Sequence, residues 1–324
     1  MELRSENITI AVTVFSRHEF IRDAIRSALN QTVPVKVIVA EDCGPDAALR
    51  DLIADEFGGR IEYFRNPKNR GLFDNWNACL DYCRTPWLSI LHDDDSLHPN
   101  FVETILALAK VAPERALYFG RAARLDEAGK IHPAPPVRWQ KNWRELDVRE
   151  LADECFLLFP GQLFRVADAK AVGGFWKASY LTGDWDMWFR LALKFGAAQS
   201  ATEVALNRAH HGADRGSTRV ERLGWKWALD NVQRKRNLAL LQQEKGIVIP
   251  FERAKLLKRS PIPSRLLLRY AGGFSRRILF YNAWLFTHSR PPHARYAALQ
   301  WLVRWFGPQA LRAGSVLFAK NYDK

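Results

Sequence analysis

Apolar and polar positions change their spacing several times along the first two hundred residues, and each change predicts an element. "ITIAVTVFS" (8–16) alternates β-branched residues with smaller ones, the pattern of a strand. "HEFIRDAIRSALNQ" follows with Ile21, Ile25 and Leu29 at i, i+4 and i+8, an amphipathic helix facing a sheet. "VKVIVAED" (35–42) is a continuous apolar run, as expected of a parallel strand buried on both faces. A helix near 46–57, a short strand at 61–66, a helix near 73–83 and a strand at 87–95 continue the series.

Past His98 the spacing predicts a helix over about 100–111 and a hairpin-like stretch, "ALYFGRAARLDEAGKIHP", closed by a loop at Pro133, Pro135 and Pro136. "FLLFPGQLFRVADAKAVGGF" rebuilds a strand and a helix, and "GDWDMWFRLALKFG" (183–196) opens a helix on acids. Strand and helix alternate at βαβ spacing, which predicts an α/β fold with a doubly wound, mostly parallel sheet. In such sheets ligands bind outside the carboxyl ends of the strands. Thr13, Glu41–Asp42 and Asp93–Asp95 all fall at such ends, so acids from separate strands are expected on one edge. Taken alone, Glu41–Asp42 also reads as a turn opener before "CGPD".

Composition adds a compartment and a division of labour. At 324 residues, 48% hydrophobic and 26% charged, the chain suits one large domain or a domain with an appendage. No apolar run approaches the roughly 18 residues of a membrane span, and "MELRSENITIAVTV" carries acids where a signal peptide has positive charge. These features predict a cytoplasmic protein. Cys43, Cys79, Cys83 and Cys155 read as structural thiols, since no second pair completes a zinc site with Cys79 and Cys83. From Arg219 onward there are 21 Lys and Arg against 5 Asp and Glu. That segment therefore holds a net +16, and the rest of the chain carries −3 of the overall +13. A near-neutral body with a basic, Trp-bearing helical region suggests chemistry in one part and docking in the other.

The run "LSILHDDDSLHP" (88–99) poses the chemical question, because adjacent carboxylates repel and are costly to bury unpaired. Three aspartates at a strand end suit a hard divalent cation, Mn²⁺ or Mg²⁺, which would clamp a diphosphate and neutralise charge as it leaves. The plainer reading is a solvated acidic turn capping the next helix. Neither GxxxxGK[ST] nor GxGxxG follows the first strand, so ordinary ATPase and dinucleotide readings lose support. Asp184 and Asp186 open an apolar helix; capping accounts for one, and the other could face the cleft as a general base.

Six segments in order resemble an inverting glycosyltransferase of family 2, with the nucleotide-diphospho-sugar-binding GT-A fold. They are "ITIAVTVFSRHEFIRDAIRSALNQT", "VIVAEDCGPD", "NRGLFDNWNACLDYC", "LSILHDDDSLHP", "VGGFWKASYLTGDWDMWFRLALKFG" and "LNRAHHGADRGS", which together cover about 7–217. The resemblance implies a catalytic domain over 1–217, with the nucleotide-sugar side near 1–100 and the acceptor side near 101–217. A basic, Trp-rich helical region over 218–324 would follow. It implies that Thr13, Asp42 and Asp93 meet the nucleotide's base or ribose and that Arg70 reaches the diphosphate. Asp94 would stand at the metal-binding carboxylate, with Asp95 supporting it and His210 as a further metal or diphosphate contact. Asp184 would be the catalytic base. The chain departs from the family at His92 (usually Asp), Glu41 (Asp), Gly183 (Glu) and Ser16 (Asn).

The implied partners are a nucleotide-diphospho-sugar donor and a glycan or lipid-linked saccharide acceptor, as in bacterial surface polysaccharide assembly. The basic region mixes Arg with Trp, Phe and Leu at helical spacing, which fits peripheral contact with an anionic inner membrane face or, equally, a packed helical subdomain. No nucleic-acid motif is present. Two rival readings are a nucleotidyltransferase, disfavoured by the absence of glycine in "VFSRHEF", and a non-catalytic relative acting as a binding protein.

Overall fold

In a computed structural model of the chain, residues 3–45, 48–209 and 225–249 are described. The first half alternates β1 (Ile8–Val14), α1 (Ile21–Leu29), β2 (Lys36–Glu41), α2 (Ala48–Phe57), β3 (Glu62–Arg65), α3 (Leu72–Tyr82) and β4 (Trp87–His92). β5 (Ser96–Leu97), α4 (Phe101–Val111), β6 (Leu117–Leu125), β7 (Ile131–His132), β8 (Trp143–Glu145) and α5 (Val148–Asp153) follow. β9 (Gln162–Arg165), α6 (Val166–Ala171), a 3₁₀ segment at Lys177–Thr182, α7 (Gly183–Phe195), β10 (Ala197–Arg208) and α8 (Trp225–Lys245) complete the described chain.

The strands form one sheet in the order β3-β2-β1-β4-β9-β6-β10-β5, with β7 beside β6 and β8 beside β10. The long ladders are parallel: β1 with β2, β1 with β4, β2 with β3 and β6 with β10. The short β9 runs antiparallel to both β4 and β6 and joins the two parallel halves. Helices cover both faces. Ile10, Val12 and Val14 pack with Ile21 and Ile25 of α1, Ile53 of α2 and Ile105 of α4. Ala11, Ala40 and Ile90 pack on the opposite face with Trp76 of α3 and Trp188 of α7.

α1 shows how the pattern becomes packing. A nine-residue helix is marginal by itself. Burial of Ile21 and Ile25 at about 1.5–3 kcal/mol each holds it to the sheet. Ala24 and Ala28 complete the buried stripe, while Leu29 sits at its margin. The strand ends also differ from the apolar runs. β4 stops at His92 because the register Thr13↔His92 is its last pairing with β1, so the three aspartates lie in a turn beyond the ladder. β5, β8, α5 and the twelve-residue β10 were not apparent in the apolar spacing.

Residues 1–215 form a compact unit together with Gln233–Ile249, the latter including the second half of α8. The other unit comprises Gly216–Val232 and Pro250–Lys324, of which only the backbone helix from Trp225 is described. His210 and most of the basic region assigned to 218–324 lie outside the described residues. No helix among the described residues is long and apolar enough to cross a membrane.

Candidate active site

The carboxyl ends of β1, β2 and β4 bring the acidic residues to one edge, as the parallel pairing requires. Thr13 is in register with Ala40 and with His92, and its hydroxyl lies 3.4 Å from the Leu91 carbonyl. Beyond β2, Glu41 is fully buried and accepts from the Gly44 amide (2.9 Å), from the Tyr63 hydroxyl and from Arg65 Nη1. Arg65 Nη2 also donates to the Gly44 carbonyl at 2.8 Å. The turn is tight: Cys43 has φ 54°, and a Cβ on Gly44 would stand 1.8 Å from the Phe15 carbonyl oxygen. Glu41 in place of the family's Asp has the reach to tie β3 to this turn.

Asp42 is buried and organises the next loop. Its Oδ1 accepts from Asn66 Nδ2 and from the Arg70 amide, and its Oδ2 from the Gly71 amide, all at 2.8 Å. Burial pushes its pKa up, against the opposing pull of those donors and of the Arg70 charge. Arg70 thus meets Asp42 through its backbone as well as its charge.

Asp93, Asp94 and Asp95 are all at least 95% buried. Arg17, just past β1, lies across two of them, with Nη2 2.7 Å from Asp93 Oδ1 and Nη1 2.8 Å from Asp94 Oδ2. Burial pushes the Asp93 pKa up to about 6; Arg17 pulls it down and Asp94 adds to the rise. Asp95 Oδ1 accepts from Asn207 Nδ2 (3.0 Å) and from the Arg208 amide (2.9 Å), so the end of β10 secures it. Arg208 Nε donates to the Asp94 carbonyl at 3.0 Å, and its guanidinium lies 3.9 Å from the centre of the Phe20 ring.

His92 shares this pocket. Its ring stacks on Phe159 at 4.0 Å and on Trp76 at 5.4 Å. Burial alone would lower its pKa, but Asp95, Asp94 and Asp93 together hold it above the usual value. His92, Asp94 and Asp95 each offer a ligand atom within 4.8 Å of the others. Asp95 Oδ2 is buried and accepts no hydrogen bond among the described residues. Two carboxylates, one of them with an orphaned buried oxygen, and an imidazole fit a divalent cation, which would satisfy that oxygen.

The two acids of the second pair stand in different surroundings. Asp186 is fully buried, with Oδ2 accepting from Arg190 Nε (2.9 Å) and Nη2 (2.7 Å) and Oδ1 from Gln233 Nε2 (3.0 Å). Arg236 Nη1 stands 3.7 Å from the same Oδ1. Asp184, part-buried at the second position of α7, accepts from the Trp185 amide at 2.7 Å. A Cβ on Gly183 would meet Phe73 Cε1 at 2.1 Å, so the start of α7 rests directly on α3. Phe73 meets Trp76 edge-on at 5.2 Å, and Trp76 stacks on His92. Three aromatic rings therefore connect the Asp184 turn to the acidic cluster. Phe73 fills the space beside Gly183, where the family usually has Glu.

Arg17, Asn207, Arg208 and Gln233 were not singled out in the sequence. Arg17 left a signal as a cation immediately past a strand end on the edge where acids converge, and Arg208 lies in the Arg-x-His of "LNRAHHGADRGS", a segment already noted for its resemblance.

The comparisons with known proteins agree with this architecture. The model of glycosyl transferase family 2 matches residues 9–172, half of the chain. The chain belongs to glycosyl transferase family 2. It is 30% identical over 192 residues to an uncharacterized glycosyltransferase of Rickettsia bellii (strain RML369-C), covering 57% of this chain and 27% of that protein. It is 32% identical over 109 residues to the succinoglycan biosynthesis protein ExoO of Rhizobium meliloti (strain 1021), covering 33% of this chain and 30% of that protein. The chain thus spans less than a third of the length of either relative. The crystal structure of S. aureus TarS in complex with UDP superposes with a TM-score of 0.59 at 13% identity, covering 98% of this chain and 89% of that one. At that identity the likeness shows the fold, a GT-A type α/β sheet.

Proposed function

We propose that the protein transfers a sugar from a nucleotide-diphospho-sugar to a hydroxyl of a glycan or lipid-linked acceptor, in the assembly of a bacterial surface polysaccharide. The observation that carries this reading is the meeting of Asp42, Asp93, Asp94 and Asp95 at one sheet edge, with the α7 start at Asp184 joined to it through Phe73, Trp76 and His92. Family membership, a relative named for succinoglycan biosynthesis and a UDP-bound structural neighbour support it.

Thr13, Asp42 and Asp93 line the position of the donor's base and ribose, and Arg70 stands toward its diphosphate. Asp94 would hold a divalent cation, Mn²⁺ or Mg²⁺, with Asp95 supporting it; His210 is assigned as a further metal or diphosphate contact. The cation, when bound, offsets negative charge growing on the leaving diphosphate. Asp184 accepts the proton of the acceptor hydroxyl as its oxygen bonds to the anomeric carbon. The bond from that carbon to the diphosphate oxygen breaks, and the electron pair leaves with the nucleoside diphosphate. One such displacement inverts the anomeric centre. The basic region 218–324 is assigned to peripheral contact at the inner face of the plasma membrane, where a lipid-linked acceptor would be met.

Calorimetry with UDP, GDP, dTDP, CDP and ADP, with and without Mn²⁺, tests the donor site. Metal-dependent binding of one of them, lost in Asp94→Ala, is the expected result. Binding of none by a folded sample overturns the reading.

A further inference from the structure

Resting on the reading of this edge as a cation-assisted donor site, we propose that His92 is a direct nitrogen ligand of the cation. The site would then select a first-row transition-metal ion over Mg²⁺. The chain has an imidazole where its family usually places a carboxylate, and the geometry gives that exchange a use. Asp95 Oδ1 is occupied by Asn207 and the Arg208 amide, which aims Oδ2 into the cluster with no hydrogen-bond partner among the described residues. His92 Nδ1 stands 3.6 Å from that Oδ2. This separation is long for a hydrogen bond. It is within the roughly 4.2 Å that two ligands of one ion can span when each lies about 2.1 Å from it. Asp94 offers a third atom within 4.8 Å of the other two, while its Oδ2 lies 2.8 Å from Arg17 Nη1.

The imidazole is also held in place. Phe159 and Trp76 stack on it with interplanar angles of 22° and 14°, so its plane is set before any ion arrives. Mg²⁺ prefers an all-oxygen sphere and dehydrates reluctantly, whereas Mn²⁺, Fe²⁺ and Co²⁺ accept mixed nitrogen and oxygen ligands. Replacing one carboxylate by a neutral nitrogen lowers the site's appeal to the harder ion.

The test uses the full chain stripped with EDTA, with metal ions alone as probes. Pulsed EPR of bound Mn²⁺ should show coupling to a directly bound ¹⁴N. His92→Gln should lose that coupling and bind Mn²⁺ at least about tenfold more weakly. By calorimetry, the ratio of Co²⁺ to Mg²⁺ affinity should fall about tenfold or more in His92→Asp. If His92→Gln does not fold, Asp95→Asn serves as the second variant, with the same tenfold weakening expected. Bound Mn²⁺ without nitrogen coupling, an unchanged Co²⁺ to Mg²⁺ ratio, or no Mn²⁺ bound at millimolar metal each overturns the proposal. The nucleotide panel on the same sample separates the failures. Nucleoside diphosphate binding without nitrogen coupling removes only the role of His92, whereas nitrogen coupling without nucleotide binding removes the donor-site reading.

Discussion

Arg17 Nη1 lies 2.8 Å from Asp94 Oδ2, so a side chain from the end of β1 occupies the carboxylate to which the cation is assigned. Its other nitrogen holds Asp93, and one guanidinium thereby compensates two buried acids. A buried carboxylate deprived of its partner is costly, but Arg17 is itself about half exposed, which moderates the loss. Arg17→Ala should destabilise the EDTA-treated protein by about 1–3 kcal/mol. Added Mn²⁺ should close most of that gap by taking over the charge. Urea denaturation with and without metal checks this; an equal deficit in both conditions would show that Arg17 does not stand in for a cation.

The two aspartates of α7 should separate cleanly on mutation. Asp184→Asn should abolish sugar transfer while leaving nucleoside diphosphate affinity within about twofold. Its stability cost should stay below about 1 kcal/mol, the scale of a charge at a helix N-terminus. Asp186→Asn leaves Arg190, itself 7% exposed, without its carboxylate and should cost about 3–5 kcal/mol. Melting curves and a donor-hydrolysis assay on both variants decide the matter. A stable but inactive Asp186→Asn would reverse the assignment.

Gly183 and Phe73 form a second coupled pair. Alanine at 183 would place Cβ against the Phe73 ring, and overpacking of this kind costs about 1–3 kcal/mol. The strain acts one residue from Asp184, so transfer should fall along with stability. Phe73→Leu made in the Gly183→Ala background should restore part of both. A double-mutant cycle with no coupling would mean that α7 does not depend on this contact.

How far the sequence carries follows from which contacts are local in period. β1, β2 and β4 were legible because Ile10, Val12, Val37, Val39, Ile90 and Leu91 lie in runs that a buried parallel strand requires. The acidic edge was legible because those strands must end together. β10 was not, since "AAQSATEVALNR" mixes small, polar and charged positions without a single period, and bulges interrupt its register with β6. The grip of Asn207 and the Arg208 amide on Asp95 spans more than a hundred residues and has no local signature. The same holds for Gln233, whose amide reaches Asp186 from a helix far along the chain. Residue pattern alone did not separate Asp184 from Asp186 and the resemblance singled out Asp184, whereas the hold of Arg190 and Gln233 on Asp186 is visible only in the fold.

Tyr63 and Glu41 make the turn after β2 sensitive to alkali. Burial, and then donation of the Tyr63 hydroxyl to the Glu41 carboxylate, push the phenol from its usual value near 10 up to about 12. The folded state therefore keeps a proton that the unfolded chain gives up between these values. Unfolding then releases a proton, so this contribution to stability is full below about pH 10 and is lost as pH rises toward 12. Tyr63→Phe should be less stable than the parent at pH 9, because Glu41 loses a donor, and the difference should shrink steadily by pH 11.5. Urea denaturation of both proteins across that range measures it, and other titrating tyrosines cancel in the comparison. A difference that stays constant with pH would mean that the Tyr63 hydroxyl does not hold its proton for Glu41, and that Arg65 and the Gly44 amide secure the turn without it.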